Sequence, residues 1–137
     1  MSLKVPSKQE NTVLMARKSR RGQLAYLKGD AAEASVAAAY KALGATILET
    51  RWRGKGGEID LIFLHQDVYV FCEVKASVTH EAARHRLLEA QMRRIHLAAS
   101  EYLAHTPNGQ LSDVRFDLAL VNARGEVEIL QNAFGHF

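Results

Sequence analysis

The chain has one cysteine, Cys72, so no internal disulfide can form, and a reducing, cytoplasmic compartment is the expectation. It has no cysteine pair and no histidines at ligand spacing. His80 and His85 stand five residues apart, which does not suit one helical face, so no zinc centre is expected. No apolar run approaches the roughly 20 residues that cross a bilayer. The basic N-terminus has no apolar stretch behind it of the kind a secretory signal needs. Internal repeats, low-complexity tracts and a second domain are also missing. What is left is an ordinary globular mixture: 137 residues, 47% apolar and 24% charged, enough for one domain with a real core.

The net charge of +3 is unevenly spread. Residues 1–28 carry Lys4, Lys8, Arg17, Lys18, Arg20, Arg21 and Lys28 against Glu10 alone, while the rest of the chain is mildly acidic. Such a basic segment suits either contact with a polyanion or a solvated terminus. Residues 1–21 read as a flexible basic arm and 22–137 as the folded domain.

Leu24, Leu27, Ala31, Ala34 and Ala38 recur at helical spacing and Gly44 follows, which predicts a helix from about 22 to 43. TILETRW (46–52), EIDLIFL (58–64) and VYVFCEVK (68–75) read as strands, the last two joined by a tight turn at His65-Gln66-Asp67. Both of those strands are apolar on both faces, as in a sheet covered by helices on two sides. Residues 76–86 are expected to form a loop. Leu88, Met92, Ile95, Ala99 and Leu103 then mark one face of a second helix, and 114–121 and 127–130 form a last pair of strands. The order α-β-β-β-α-β-β predicts a three-layer α/β/α domain with a central mixed sheet.

The charges on the central hairpin carry the chemistry. Alternation along a strand puts Glu73 and Lys75 on one face, and Glu58 with Asp60. A two-residue turn at Gln66-Asp67 would set Asp60 opposite Glu73 and Glu58 opposite Lys75. A register slip of one residue would scatter them. Carboxylates gathered beside an apolar sheet repel one another unless they bind protons or a cation. An all-oxygen donor set suits Mg2+ or Mn2+ rather than zinc. Such an ion can polarise a phosphate and activate a water, and Lys75 could orient that water or stabilise the developing charge.

An acid, a short spacer and then Glu-x-Lys on the next strand resembles the PD-(D/E)XK nuclease superfamily. Here these are Asp60 and Glu73-Val74-Lys75. More narrowly, GDAAE (29–33), GGEIDLI (56–62), VFCEVK (70–75) and RFDLALV (115–121) resemble the YraN-type family of bacterial proteins, regarded as related to archaeal Holliday-junction resolvases. The resemblance spans about residues 22–131 and implies a restriction-endonuclease-like fold. It implies that Asp60, Glu73 and the Val74 carbonyl bind the metal, with Glu33 of the first helix completing the site. Lys75 takes the catalytic lysine role and Glu58 is an accessory acid. Two positions depart from the family pattern: Ser77 stands where an arginine is common, and Gln91 replaces a basic residue near the start of the second helix.

The expected activity is divalent-metal-dependent hydrolysis of DNA, branched or structured DNA included. The alternative is a non-cleaving nucleic-acid-binding module on the same scaffold. A third reading is a protein-interaction subunit whose acids hold a structural ion. Arg51, Arg53, Lys55, Gln91 and Arg94 are the candidate nucleic-acid contacts, and Arg84, Arg86 and Arg93 flank the same cleft. Trp52 and the Gly54–Gly57 stretch are expected to serve packing and a mobile hairpin loop, respectively, rather than ligand binding. Arg115 and Asp117 are expected to be structural. Resolvases of related fold act as dimers, so a homodimer is an expectation by analogy. No membrane contact is expected.

Overall fold

A computed structural model describes the backbone of residues 2–5 and 21–136, and side chains from residue 29 to 136. The expectation of a flexible basic arm falls largely on residues 6–20, outside the described residues. Ser2–Val5, also assigned to that arm, instead form an edge strand, β1, antiparallel to the last strand of the chain.

Helix α1 spans Arg21–Ala42. It ends where Gly44 turns left-handed at φ 91°, while the Ala45 amide donates back to the Tyr40 carbonyl and the Gly44 amide to Lys41. This pairing closes off the last carbonyls of a helix. Strands β2 (Thr46–Arg53), β3 (Glu58–His65) and β4 (Val68–Ala76) follow as an antiparallel meander. The β3–β4 turn is the two-residue loop Gln66-Asp67, with both residues at positive φ, 52° and 65°. That mirror-image turn matches strand twist, although neither residue is glycine or asparagine. It fixes the register with Leu61 opposite Cys72 and His65 opposite Val68.

The chain then crosses over through α2 (His80–Arg84) and α3 (Glu89–Leu103) to β5 (Val114–Val121), parallel to β4, and returns in β6 (Val127–Leu130). The strand order is β1-β6-β5-β4-β3-β2. On one face α1 covers Leu61, Phe63, Val70, Cys72, Ala119 and Ile129, with Tyr40 stacked on Phe63 at 4.1 Å. On the other face α2 and α3 cover Ile59, Ile62, Phe71, Phe116, Leu118 and Leu120. The expected α/β/α layering and mixed sheet are therefore present.

Two details differ from the sequence reading. Residues 80–84 form a helix where a loop was expected, started by Thr79, whose hydroxyl accepts from the Ala82 amide. Leu88 is not on the buried face of α3: it is the residue before the first turn and is 61% exposed. The buried stripe is Ile95, Ala98, Ala99 and Leu103.

Candidate functional site

The β3–β4 ladder stops at Leu61–Cys72, and beyond that pair the two strands separate. Within β4, Val70, Cys72, Val74 and Ala76 pack toward α1, while Tyr69 and Phe71 pack toward α3. Alternation therefore sends Glu73 and Lys75 to the α3 side, beside Leu118 and Leu120 of β5. The Lys75 ammonium stands 3.3 Å from the Glu73 carboxylate, and both side chains are nearly buried.

Asp60 sits where β3 breaks its alternation. Ile59 packs with the α3-side cluster and Leu61 with the α1-side cluster, so the strand changes face across the one residue between them. The irregularity has a counterpart on β2. Thr50 pairs with Leu61 and Trp52 with Ile59, and Arg51, between them, lies at φ 49°, a conformation costing a β-region residue roughly 1–2 kcal/mol. Asp60 Oδ2 accepts from the Val74 amide at 2.9 Å, which carries the carboxylate across the gap to β4. There it meets Glu73. Burial, then the charge of Asp60 and a hydrogen bond to it, push the Glu73 carboxyl up to about 8, against the pull of Lys75. Asp60 and Glu73 thus converge on one site.

Glu58 does not join them. The expected pairing of Glu58 with Lys75 is lost because the ladder ends first, and the face change at Asp60 separates Glu58 from its neighbour. Glu58 is 40% exposed and lies 3.9 Å from Arg53. Glu33 comes near the site from the α1 side. Its carboxyl pKa is raised, chiefly by burial and also by the charge of Asp60, while the Arg51 guanidinium, 3.0 Å away, lowers it. Arg51 also pairs with Asp30. These residues, with Ala34, Ala37, Thr50 and Leu61, line an open depression of about 410 Å³ that includes none of Asp60, Glu73 or Lys75. Among the described residues no three His, Cys, Asp or Glu side chains gather closely enough to cage a metal.

The donor set nonetheless suits a hard dication. Two carboxylates meet in a part-buried gap, and one of them, at about 8, keeps a proton where a cation would otherwise balance the charge. A strand residue directs its amide and carbonyl to the same side, so the Val74 carbonyl opens into the gap that Asp60 occupies. Asp60, Glu73 and the Val74 carbonyl form an all-oxygen set of the kind Mg2+ or Mn2+ takes, completed by water.

The expected nucleic-acid contacts divide. Arg51 is committed to Asp30 and Glu33. Gln91 uses its side chain to accept from the Leu88 amide and so caps its own helix. Arg53, Lys55 and Arg94 are exposed, and Arg94 lies against Gly57 near the start of β3. Trp52 packs edge-on against Tyr102 at 5.3 Å, as expected for a packing residue. The glycine loop, expected to be mobile, is docked. The Lys55 and Gly56 amides donate to the Glu101 carboxylate of α3 at 2.7 and 2.6 Å, and a Cβ on Gly56 would lie 2.9 Å from Leu97 Cβ. Asp117, fully buried, accepts from Tyr40, Arg115 and the Asn132 amide, which ties α1, β5 and the C-terminal segment together. The sequence reading missed Glu101, because an acid on an amphipathic helix looks like solvated surface.

Fold and geometry define an α/β/α domain with a carboxylate pair and a lysine at a strand separation. The family model described as "Uncharacterised protein family UPF0102" matches residues 32–121, and the chain belongs to that family, the YraN-type family its motifs resemble. A UPF0102 protein of Ruegeria pomeroyi is 49% identical over 116 residues, covering 85% of this chain and 94% of the relative. One from Cereibacter sphaeroides is 50% identical over 113 residues, 82% of this chain and 97% of its own length. A third, from Dinoroseobacter shibae, is 42% identical over 132 residues, 96% and 98% of the two chains. Among the described residues no helix is long and apolar enough to cross a membrane.

Proposed function

We propose that this chain hydrolyses phosphodiester bonds of DNA with the help of a divalent cation, on branched or otherwise structured substrates among others. One observation carries the reading: a buried glutamate forced against Asp60, with the Lys75 ammonium 3.3 Å from its carboxylate. A carboxylate pair so placed serves stability poorly, since each charge raises the cost of the other. It becomes useful when a cation and a phosphate arrive. Asp60, Glu73 and the Val74 carbonyl would hold Mg2+ or Mn2+, which supplies charge neutralisation at the phosphate and a more acidic bound water.

The chain's own groups have separable tasks. The Val74 amide fixes the Asp60 carboxylate in the gap, so its orientation does not depend on the ligand. Lys75, held by Glu73 beside the α3-side core, can donate to the attacking water or to a phosphate oxygen as charge builds there. Water adds to phosphorus, the bond to one ester oxygen breaks, and that oxygen takes up a proton. Glu33 stands to the α1 side under the control of Arg51, and Glu58 lies too far toward solvent for more than an outer role.

The test is incubation of the protein with branched, single-stranded and duplex DNA in Mg2+ or Mn2+. Wild type is expected to cut at least one of them, and Glu73→Ala and Lys75→Ala to lose roughly 10²–10⁴-fold in rate. Failure to cut any substrate, or equal cutting by both variants, would remove the proposal. The second reading, a module that binds DNA without cutting, draws on Ser77 in place of an arginine and on the lack of a third acid at the pair among the described residues. It predicts salt-sensitive binding that needs no metal and survives Lys75→Ala.

A further inference from the structure

The far end of β4 carries a cation that no acid among the described residues balances. Arg86 lies in the turn between α2 and α3, and its Nη1 donates to the Ala76 carbonyl at 2.7 Å. The direction of that carbonyl follows from the strand. The Ser77 amide bonds to Val121 of β5, whereas the Val74 amide bonds to Asp60 of β3, so Val74 and Ala76 both face the β3 side. There β3 has already separated from β4. The Ala76 carbonyl that Arg86 holds therefore lies on the β3 side of β4, two residues, or roughly 6.5 Å, along the strand from the Val74 amide that anchors Asp60.

Several arginines of the domain stand against acids. Arg51 pairs with Asp30 and Glu33, Arg93 with Glu89, and Arg115 with Asp117. Arg86 has no carboxylate within ion-pair distance among the described residues. Its single bond to a neutral carbonyl fixes the planar group in place without cancelling its charge. Most of its five donors stay uncommitted.

We infer that Arg86 grips the DNA phosphodiester at this site, its guanidinium holding non-bridging oxygens beside the Asp60–Glu73 pair. The inference rests on the nucleic-acid reading above and adds to it the anion-binding group of the cleft. A phosphate entering the gap meets two acids and one lysine already engaged with an acid. A fixed guanidinium at the rim supplies the missing positive charge, with a fork geometry that lysine lacks.

The test uses the full chain and fluorescein-labelled four-way-junction and duplex DNA. Binding in Ca2+ is followed by anisotropy from about 50 to 200 mM salt, and single-turnover cleavage is followed in Mg2+ and Mn2+. Arg86→Ala should lower the slope of log affinity against log salt by about 0.9, the value for one lost phosphate contact. It should also slow cleavage by about 10–100-fold. Arg86→Lys should restore the slope while leaving part of the cleavage loss, which a purely structural role would not produce. Lys41→Ala, at the opposite end of the sheet, should change neither. If Arg86→Ala matches Lys41→Ala in both readouts, the inference fails, even where Glu73→Gln abolishes cutting and the hydrolytic reading stands. If wild type binds but never cuts, and Arg86→Ala still flattens the slope, the hydrolytic reading fails and this contact holds. Absence of both binding and cutting by wild type overturns the two together.

Discussion

Two carboxylates among the described residues are buried, and their surroundings differ in kind. Asp117 is surrounded by donors: the Tyr40 hydroxyl at 2.6 Å, the Nε and Nη2 of Arg115, and the Asn132 amide at 2.8 Å. Glu73 has one ammonium and a second carboxylate. Asp117 is an acid built into the fold, whereas Glu73 is held at a cost to it. Asp60→Asn removes the charge facing Glu73 while leaving an oxygen for the Val74 amide. It should therefore stabilise the metal-free protein by roughly 1–2 kcal/mol in urea unfolding while abolishing DNA cleavage. Equal loss of stability and activity would mean that Asp60 serves the fold. The nearness of Asp60 to Glu73 was legible in the sequence because turn length sets the register up to Leu61–Cys72; the Val74 amide that carries Asp60 the rest of the way was not. The exclusion of Glu58 was not. It follows from the early end of the β3–β4 ladder and the face change at Asp60, accompanied on β2 by the left-handed Arg51, and nothing in T-R-W-R announces such a residue.

At the scale of elements, the β2–β3 loop is fastened to α3 rather than free. Gly54 and Gly56 lie where a Cβ would meet Glu101, Trp52 or Leu97, so glycine is needed here for close approach. Gly56→Ala should push α3 outward and cost about 1–3 kcal/mol, measured by chemical denaturation. No change in stability would show that the loop is not seated. The Lys55 and Gly56 amides hold the Glu101 carboxyl below its ordinary value. A folded pKa below the unfolded one means that this contribution is present above about 4.5 and fades as pH falls through the lowered value. Glu101→Gln should therefore lower the melting temperature at neutral pH and converge with wild type in acid, flattening part of the acid limb of the profile. An unaltered acid limb would contradict the docking. Helix α2 illustrates the limit of sequence reading: five residues are too few to show a period, and the Thr79 cap was its only local signal. The long, two-faced strands β3 and β4 were readable for the opposite reason.

At the scale of the molecule, the sheet separates two cores, and the candidate site lies where β3 leaves β4, between the layers. Acids from either side can reach this place, Glu73 from the α3 face and Glu33 from the α1 face, with Asp60 affecting both. Layering and the succession of elements were legible because helix and strand periods alternate cleanly along the chain. The β1 edge was not, since four residues of Ser-Leu-Lys-Val are strand only once β6 offers them a partner. Layering alone does not define chemistry, so the account depends on whether the gap takes an ion. The most direct measurement is anomalous diffraction from crystals soaked in Mn2+. A peak is predicted within coordination distance of the Asp60 and Glu73 carboxylates and the Val74 carbonyl, absent in Asp60→Asn. A gap without a peak at saturating Mn2+, or a peak that persists unchanged in that variant, would contradict it.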